Sequence, residues 1–346
     1  MKLSGIELLK ALSDVFAPSG CEDKAAELIT EQIGNDAETS VDRVGNVVAL
    51  VPSRGSGARR IMLTAHMDEP GFIVRDVDGD GKVWMKFFGG VPTERISGRL
   101  GVINGTDRCI FSAKPIHQLS GDERSKPTAA DRIYAELGLK DKEAADEKVK
   151  IGDYGAMAPS FADVGRYYKG KALGSRSSCA VMIELIRELK AAKKSLGCDV
   201  YFVFTTRGEV GNMGAEVAAN VIAPDLAIAL DGIAAYDTPD VPDELKITTL
   251  GGGAAVLGID AKTVFHPEKT ANVMKIADER GIGYQYVVRQ SQIGEGAVTQ
   301  RALGGRVCVG IAIPTRYKKS ASEMISVADC DCAKSLIKEI IIREGK

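Results

Sequence analysis

Apolar residues recur at three- and four-residue spacing from Ile6 to Phe16, the period of an amphipathic helix. Pro and Gly in Ala17–Glu22 interrupt the pattern, and Ala25–Ile33 resumes it. Val41–Pro52 reads as a strand with a turn at Gly45-Asn46, and Arg60–Ala65 as the next strand. The texture then changes. From Gly71 to about Asp163 the chain runs through short β-like stretches, GFIVRDV, KVWMKFFGG, RLGVI and RCIFSAKP, separated by turn residues. A helix is predicted at Thr128–Leu137, followed by the charged stretch KDKEAADEKVK, which reads as a solvated face. Short strands with frequent turns predict a small barrel or sandwich.

From Gly170 helices and strands alternate again. Helices are predicted at Cys179–Lys194, Met213–Val221, Pro267–Arg280, Ala297–Leu303 and Asp329–Arg343. Strands are predicted at Val200–Thr206, Leu226–Leu230, Tyr284–Val288 and Arg306–Ile311. Such alternation implies a mostly parallel sheet flanked by helices on both faces. The expected fold is therefore α/β, formed by residues 1–68 and 164–346, with a β-rich insert at 69–163.

Composition removes several function classes. The net charge of −2 gives no electrostatic case for nucleic acid or an anionic membrane surface. The apolar runs are too short to span a bilayer. Aromatic residues are only 5% of the chain, which points to an aliphatic core. The N-terminus has charges inside its apolar pattern and reads as a helix rather than a signal peptide. Seven scattered Cys indicate reduced thiols and a cytoplasmic location. Cys330 and Cys332 read as thiols more readily than as metal ligands.

The chemistry concentrates at Thr64–Phe72, TAHMDEPGF, at the C-terminal end of a buried strand. Ligands of open α/β sheets sit at that end. His66 with Asp68 two residues on is either a metal-binding His oriented by a carboxylate or a structural strand-end His beside an Asp turn.

The segments APSGCE, DRVGN, TAHMDEPGF, KPIH, KGKALGSR, VFTTRGEVGNMGA, ALDGIAAYDTP and IPTRYKKSASE follow one another almost from end to end. In this combination the chain resembles the glutamyl and tetrahedral (TET) aminopeptidases, metallopeptidases also labelled cellulase- or endoglucanase-like. The resemblance implies a zinc-aminopeptidase-like α/β domain interrupted by a β-barrel-like oligomerisation domain. It also implies removal of N-terminal residues from peptides by two divalent metals, Zn or Co, that share a bridging carboxylate. Matched position by position, His66 falls on a His ligand, Asp68 on its orienting carboxylate, Glu209 on a ligand Glu and Asp231 on a ligand Asp. Gly174 falls where the bridging Asp is expected, Gly208 on the general base and Lys319 on the second His ligand. Glu295 falls in the glycine-rich loop and is the one candidate replacement carboxylate. Arg316 and Arg207 flank the site as candidates for a substrate carboxylate, with ion pairs to Glu209 or Asp231 as the alternative. His117 and His266 read as structural.

Three replacements in the reactive set imply weak or absent activity with one divalent metal or none. The alternative is a non-catalytic binding or assembly subunit, a homo-oligomer or a partner of an active relative, with a peptide-like ligand. Glycoside hydrolysis is a lesser alternative. Charge places the Lys319 amine beside Glu209, with Asp231 a second candidate. Restoring Gly174→Asp, Gly208→Glu and Lys319→His together is the matching positive test.

Overall fold

The computed structural model describes residues 2–53, 58–191, 196–288 and 294–345. The strand Arg59–His66 is buried from Ile61 to its end, because its side chains leave the pleat alternately toward two cores. Ile61, Leu63 and Ala65 enter one cluster, with the helices Gly5–Asp14, Leu173–Ala191 and Val327–Glu344. Met62 enters the other, with Ala218, Ala219 and Ile222 of the helix Met213–Ile222. A continuous apolar strand is the signature of a sheet covered on both sides.

Around it the parallel strands Cys198–Thr205, Arg59–His66, Leu226–Ala234 and Cys308–Arg316 lie side by side in that order. Antiparallel strands flank them. Glu38–Val41 and Val47–Val51 form a hairpin at one edge, so the turn expected at Gly45-Asn46 joins two strands rather than opening one. The α/β class, with a mostly parallel sheet between helices, is thus the observed one.

Between Gly71 and Met157 six strands close into a separate barrel with its own core. Phe72 and Phe111 meet edge to face inside it, with ring centroids 5.5 Å apart. Gly155 is obligatory there, since a Cβ at that position would lie 2.0 Å from the Phe72 ring.

Four expectations need correction. Thr128–Leu137 is not a helix. A single 3-10 turn at Ala130–Arg132 leads into the strand Tyr134–Glu136, which closes the barrel against Val83–Trp84 and Ile110–Ser112. Closure buries Ile133 and Ala135, and this long-range pairing overrides the local helical preference of Ala, Glu and Leu. The helix expected from Cys179 starts earlier, at Leu173, and residues 192–194 lie outside the described residues. Ala297–Leu303 is a single turn, Gly296–Thr299, followed by a 3-10 turn in which Leu303 is left-handed. The last parallel strand begins at Cys308 and continues to Arg316.

One ion pair fastens the two sheets' junction. Lys171 and Glu69 are each 1% exposed. The Lys171 ammonium lies 2.5 and 2.7 Å from the two Glu69 oxygens and donates to the Val15 carbonyl. Glu69 also accepts from the Ala17 amide.

Candidate active site

The strand Arg59–His66 delivers His66 to the C-terminal edge of the sheet, beside Asp231 on the next parallel strand. His66 is 5% exposed and Asp68 fully buried. The His66 Nδ1 lies 3.1 Å from an Asp68 oxygen, and its Nε2 lies 3.5 Å from Asp231. Asp68 is fixed from three further directions. It accepts from the Gly208 amide at 2.7 Å, the Glu209 amide at 3.0 Å and the Ser19 hydroxyl. Burial alone would lower the His66 pKa, but the Asp231 and Asp68 carboxylates raise it well above its ordinary value. Burial opposes ionisation of both aspartates, yet His66, with Lys318 at Asp231, holds both below the usual carboxylate range. The ring is thus clamped between two carboxylates, one at each nitrogen.

The opposite wall is a loop of unusual backbone. Tyr317 and Lys319 are both left-handed, at φ 54° and 65°. This turns two successive lysines toward the cavity. Lys319 Nζ lies 3.0 Å from Glu209 and donates to the Gly89 carbonyl at 2.8 Å. Lys318 Nζ lies 3.3 Å from Asp231 and donates to the Gly232 carbonyl. Buried Glu323 accepts from both the Lys319 amide and the Gly174 amide, tying the loop to the helix Leu173–Ala191. His66, Gly208, Glu209, Asn212, Asp231, Lys318 and Lys319 line one open cavity of about 310 Å³.

The glycines are where these side chains need room. A Cβ at Gly174 would lie 3.2 Å from Lys318 Cε. A Cβ at Gly208 would lie 2.3 Å from the His66 Cβ and 2.4 Å from its ring. A side chain at Gly208 would collide with His66, whereas one at Gly174 would press only lightly on the Lys318 chain. Lys318 was absent from the candidate residues. The doubled lysine in RYKKS was its only signal, and sequence gives no indication that both turn inward.

Other candidates sit elsewhere. Glu295 is 2% exposed, accepts the Thr205 hydroxyl and lies in a neighbouring interior pocket with Phe265, rather than lining the cavity of His66 and Glu209. Burial pushes its pKa up to about 7. A carboxyl raised in the folded state contributes stability at low pH that is lost as pH rises from its unfolded value through the folded one. Denaturant titrations from pH 5 to 8 are expected to show stability falling across this window, with the fall reduced in Glu295→Gln. An equal fall in both proteins would contradict the assignment. Arg316 is turned away, donating two hydrogen bonds to Asp237 at 2.6 and 2.7 Å, so it is a structural ion pair and pairs with neither Glu209 nor Asp231. Arg207 places its guanidinium against the Met213 sulfur. His266 caps the helix Pro267–Arg280, and His117 is exposed on a 3-10 turn of the barrel.

A family model, M42 glutamyl aminopeptidase, matches residues 45–336. The chain belongs to the M42 family. A protein of Acetivibrio thermocellus, described as a candidate aminopeptidase, is 32% identical to this M42 chain over 338 residues, covering 97% of it and 98% of the relative. The TET aminopeptidase of a marine-sediment Thaumarchaeota archaeon superposes with a TM-score of 0.93 at 29% identity, covering 98% of this chain and 96% of the other. The Pyrococcus horikoshii TET1 peptidase, described as assembling into a tetrahedron or a large octahedral shell, gives a TM-score of 0.85 at 26% identity over 97% and 99% of the two chains.

M42 peptidases are metal-dependent. The donors of this member do not fit a two-metal centre. Gly174 offers no bridging carboxylate, and ammonium groups already hold Glu209 and Asp231. His66 has a carboxylate at each ring nitrogen. Among the described residues no group of three or more His, Cys, Asp or Glu is placed to hold a metal ion. A zinc site ordinarily needs three or four such donors.

Proposed function

We propose that this chain is an aminopeptidase-family member with weak or no hydrolytic activity, retained as a peptide-binding and assembly subunit. The observation that carries this is the pair of internal ion pairs, Lys319–Glu209 and Lys318–Asp231, at 3.0 and 3.3 Å. They supply positive charge where metals would otherwise offset converging carboxylates. Two unscreened carboxylates would raise each other's pKa, and the lysines remove that conflict from within the chain. No group at position 208 can accept a proton from water. Loss of a general base costs about 10²–10⁴-fold in rate. Without metals the pocket retains shape, charge and a fixed imidazole ring, which suit binding rather than turnover.

The barrel and the tetrahedral or octahedral shells described for the Pyrococcus neighbour support a homo-oligomer, and association with an active relative is a further form of the same reading. Glycoside hydrolysis gains no support, since Glu209 and Asp231 are paired with lysines and the cavity has no aromatic platform among its described lining residues.

Aminoacyl p-nitroanilides supplied with Zn²⁺, Co²⁺ or Mn²⁺ test the reading. Turnover is expected at least about 10²-fold below 1 s⁻¹. Turnover of about 1–10³ s⁻¹ that a chelator abolishes would overturn it.

A further inference from the structure

A second cleft, of about 710 Å³, lies between the barrel and the loop that carries the two lysines. Glu94, Arg95 and Arg99 line it from the barrel side, and Tyr317, Ser320 and Ser322 from the loop side. Its charge is unbalanced. Arg95 touches Glu94 only loosely, at 3.9 Å, and among the described residues Arg99 forms no ion pair. Two guanidiniums against one carboxylate leave one positive charge, facing a wall of hydroxyls.

Both walls are held by local contacts that leave the two arginine side chains unused, and the Ser320 hydroxyl accepts from the Ser322 amide at 3.1 Å. The Phe111 amide donates to the Arg99 carbonyl at 2.9 Å, and the Arg99 amide to Ile96 at 3.0 Å. Across the cleft the Ser320 amide donates to Tyr317 at 3.2 Å, and the Ser160 hydroxyl to Ala321 at 2.6 Å. The cleft is therefore formed before any ligand arrives, which lowers the ordering cost of binding.

We propose that this cleft binds the carboxylate of an acidic, peptide-like ligand, with Arg95 and Arg99 as the cationic contacts. Guanidinium matches a carboxylate through paired N–H donors, and the serine and tyrosine hydroxyls supply further donors. Charge balance selects among oxyanions. One net positive charge suits a single carboxylate, whereas a phosphate dianion would leave negative charge beside Glu94. The proposal rests on the binding-subunit reading only in taking the ligand as peptide-like.

Calorimetry on the full chain at low salt tests this with C-terminally amidated Ala-Ala-Glu, which carries one carboxylate, amidated Ala-Ala-Gln and inorganic phosphate, each against wild type and Arg95→Gln/Arg99→Gln. Both arginines are exposed, so the double variant is expected to keep the wild-type melting temperature. The acidic peptide is expected to bind about tenfold or more tightly than the amide, and to lose about that factor in the double variant and in high salt. Equal affinity for acid and amide, unchanged affinity in the variant, no binding of the acidic peptide, or its displacement by phosphate below the peptide's own dissociation constant would each overturn the assignment. Chromatography of the same mixtures separates the two readings. Cleaved peptide would contradict the silent site while leaving the arginine effect intact, and a missing arginine effect would contradict the cleft without bearing on cleavage.

Discussion

Lys171→Met is expected to destabilise the protein by about 3–5 kcal/mol, because it strands a buried Glu69 carboxylate. Each partner is 1% exposed, so water cannot replace the lost ammonium. The pair also joins three parts of the chain. Glu69 opens the segment leading into the barrel and accepts from Ala17, while Lys171 lies on the return and donates to Val15. Ser19, two residues beyond Ala17, donates to Asp68. Loss of the pair should therefore loosen the N-terminal segment and the support of His66 together. A denaturant midpoint measures the first effect. The double variant Lys171→Met/Glu69→Leu is expected to recover most of the loss, since a buried pair replaced by apolar residues of similar size is often near neutral. A single-variant cost below about 1 kcal/mol, or a double variant no better than the single, would show that the pair is not what holds this junction.

How far the sequence could be read depended on whether a feature was local. RIML in Arg60–Leu63 was legible as a buried strand because both faces of the sheet are covered, and Tyr284–Val288 because its composition and bounding turns agree. Closure of the barrel was suggested by short strands and turns, but its order was not. That order pairs Tyr134–Glu136 with strands about 24 and 50 residues away, which no window of sequence registers. The Lys319–Glu209 contact follows from charge alone. Lys318–Asp231 does not, because it depends on left-handed backbone at Tyr317 and Lys319. Nor could sequence show that His66 crowds Gly208 and that Lys318 lies close to Gly174. The same limit applies to Glu295, whose place beneath the site follows from its contact with Thr205.

That crowding changes the expected outcome of rebuilding the site. The triple variant Gly174→Asp, Gly208→Glu, Lys319→His is expected to remain inactive. An Asp at 174 would press its Cβ to 3.2 Å from Lys318 Cε, and the lysine would still hold Asp231. A Glu at 208 would meet His66 at 2.3 Å, so the histidine must shift before either side chain fits. Overpacking of this kind costs about 1–3 kcal/mol. Adding Lys318→Ala frees Asp231 from the ammonium and opens the space beside position 174. Once His66 has shifted to admit the Glu at 208, it can form a three-donor set with Asp231 and the new Asp, and the new Glu supplies a proton acceptor. The quadruple variant is expected to exceed the triple by about 10²-fold or more in metal-dependent turnover. Equal activity of the two would show that Lys318 does not obstruct the site.

Zinc-soaked crystals of the wild-type chain and the quadruple variant test the replacement of metals by lysines most directly. The account predicts no anomalous peak beside Glu209 or Asp231 in the wild type, with both ammonium groups still at their carboxylates, and a peak at His66 and Asp231 in the variant. A strong wild-type peak beside Glu209, with Lys319 displaced from it, would contradict the account.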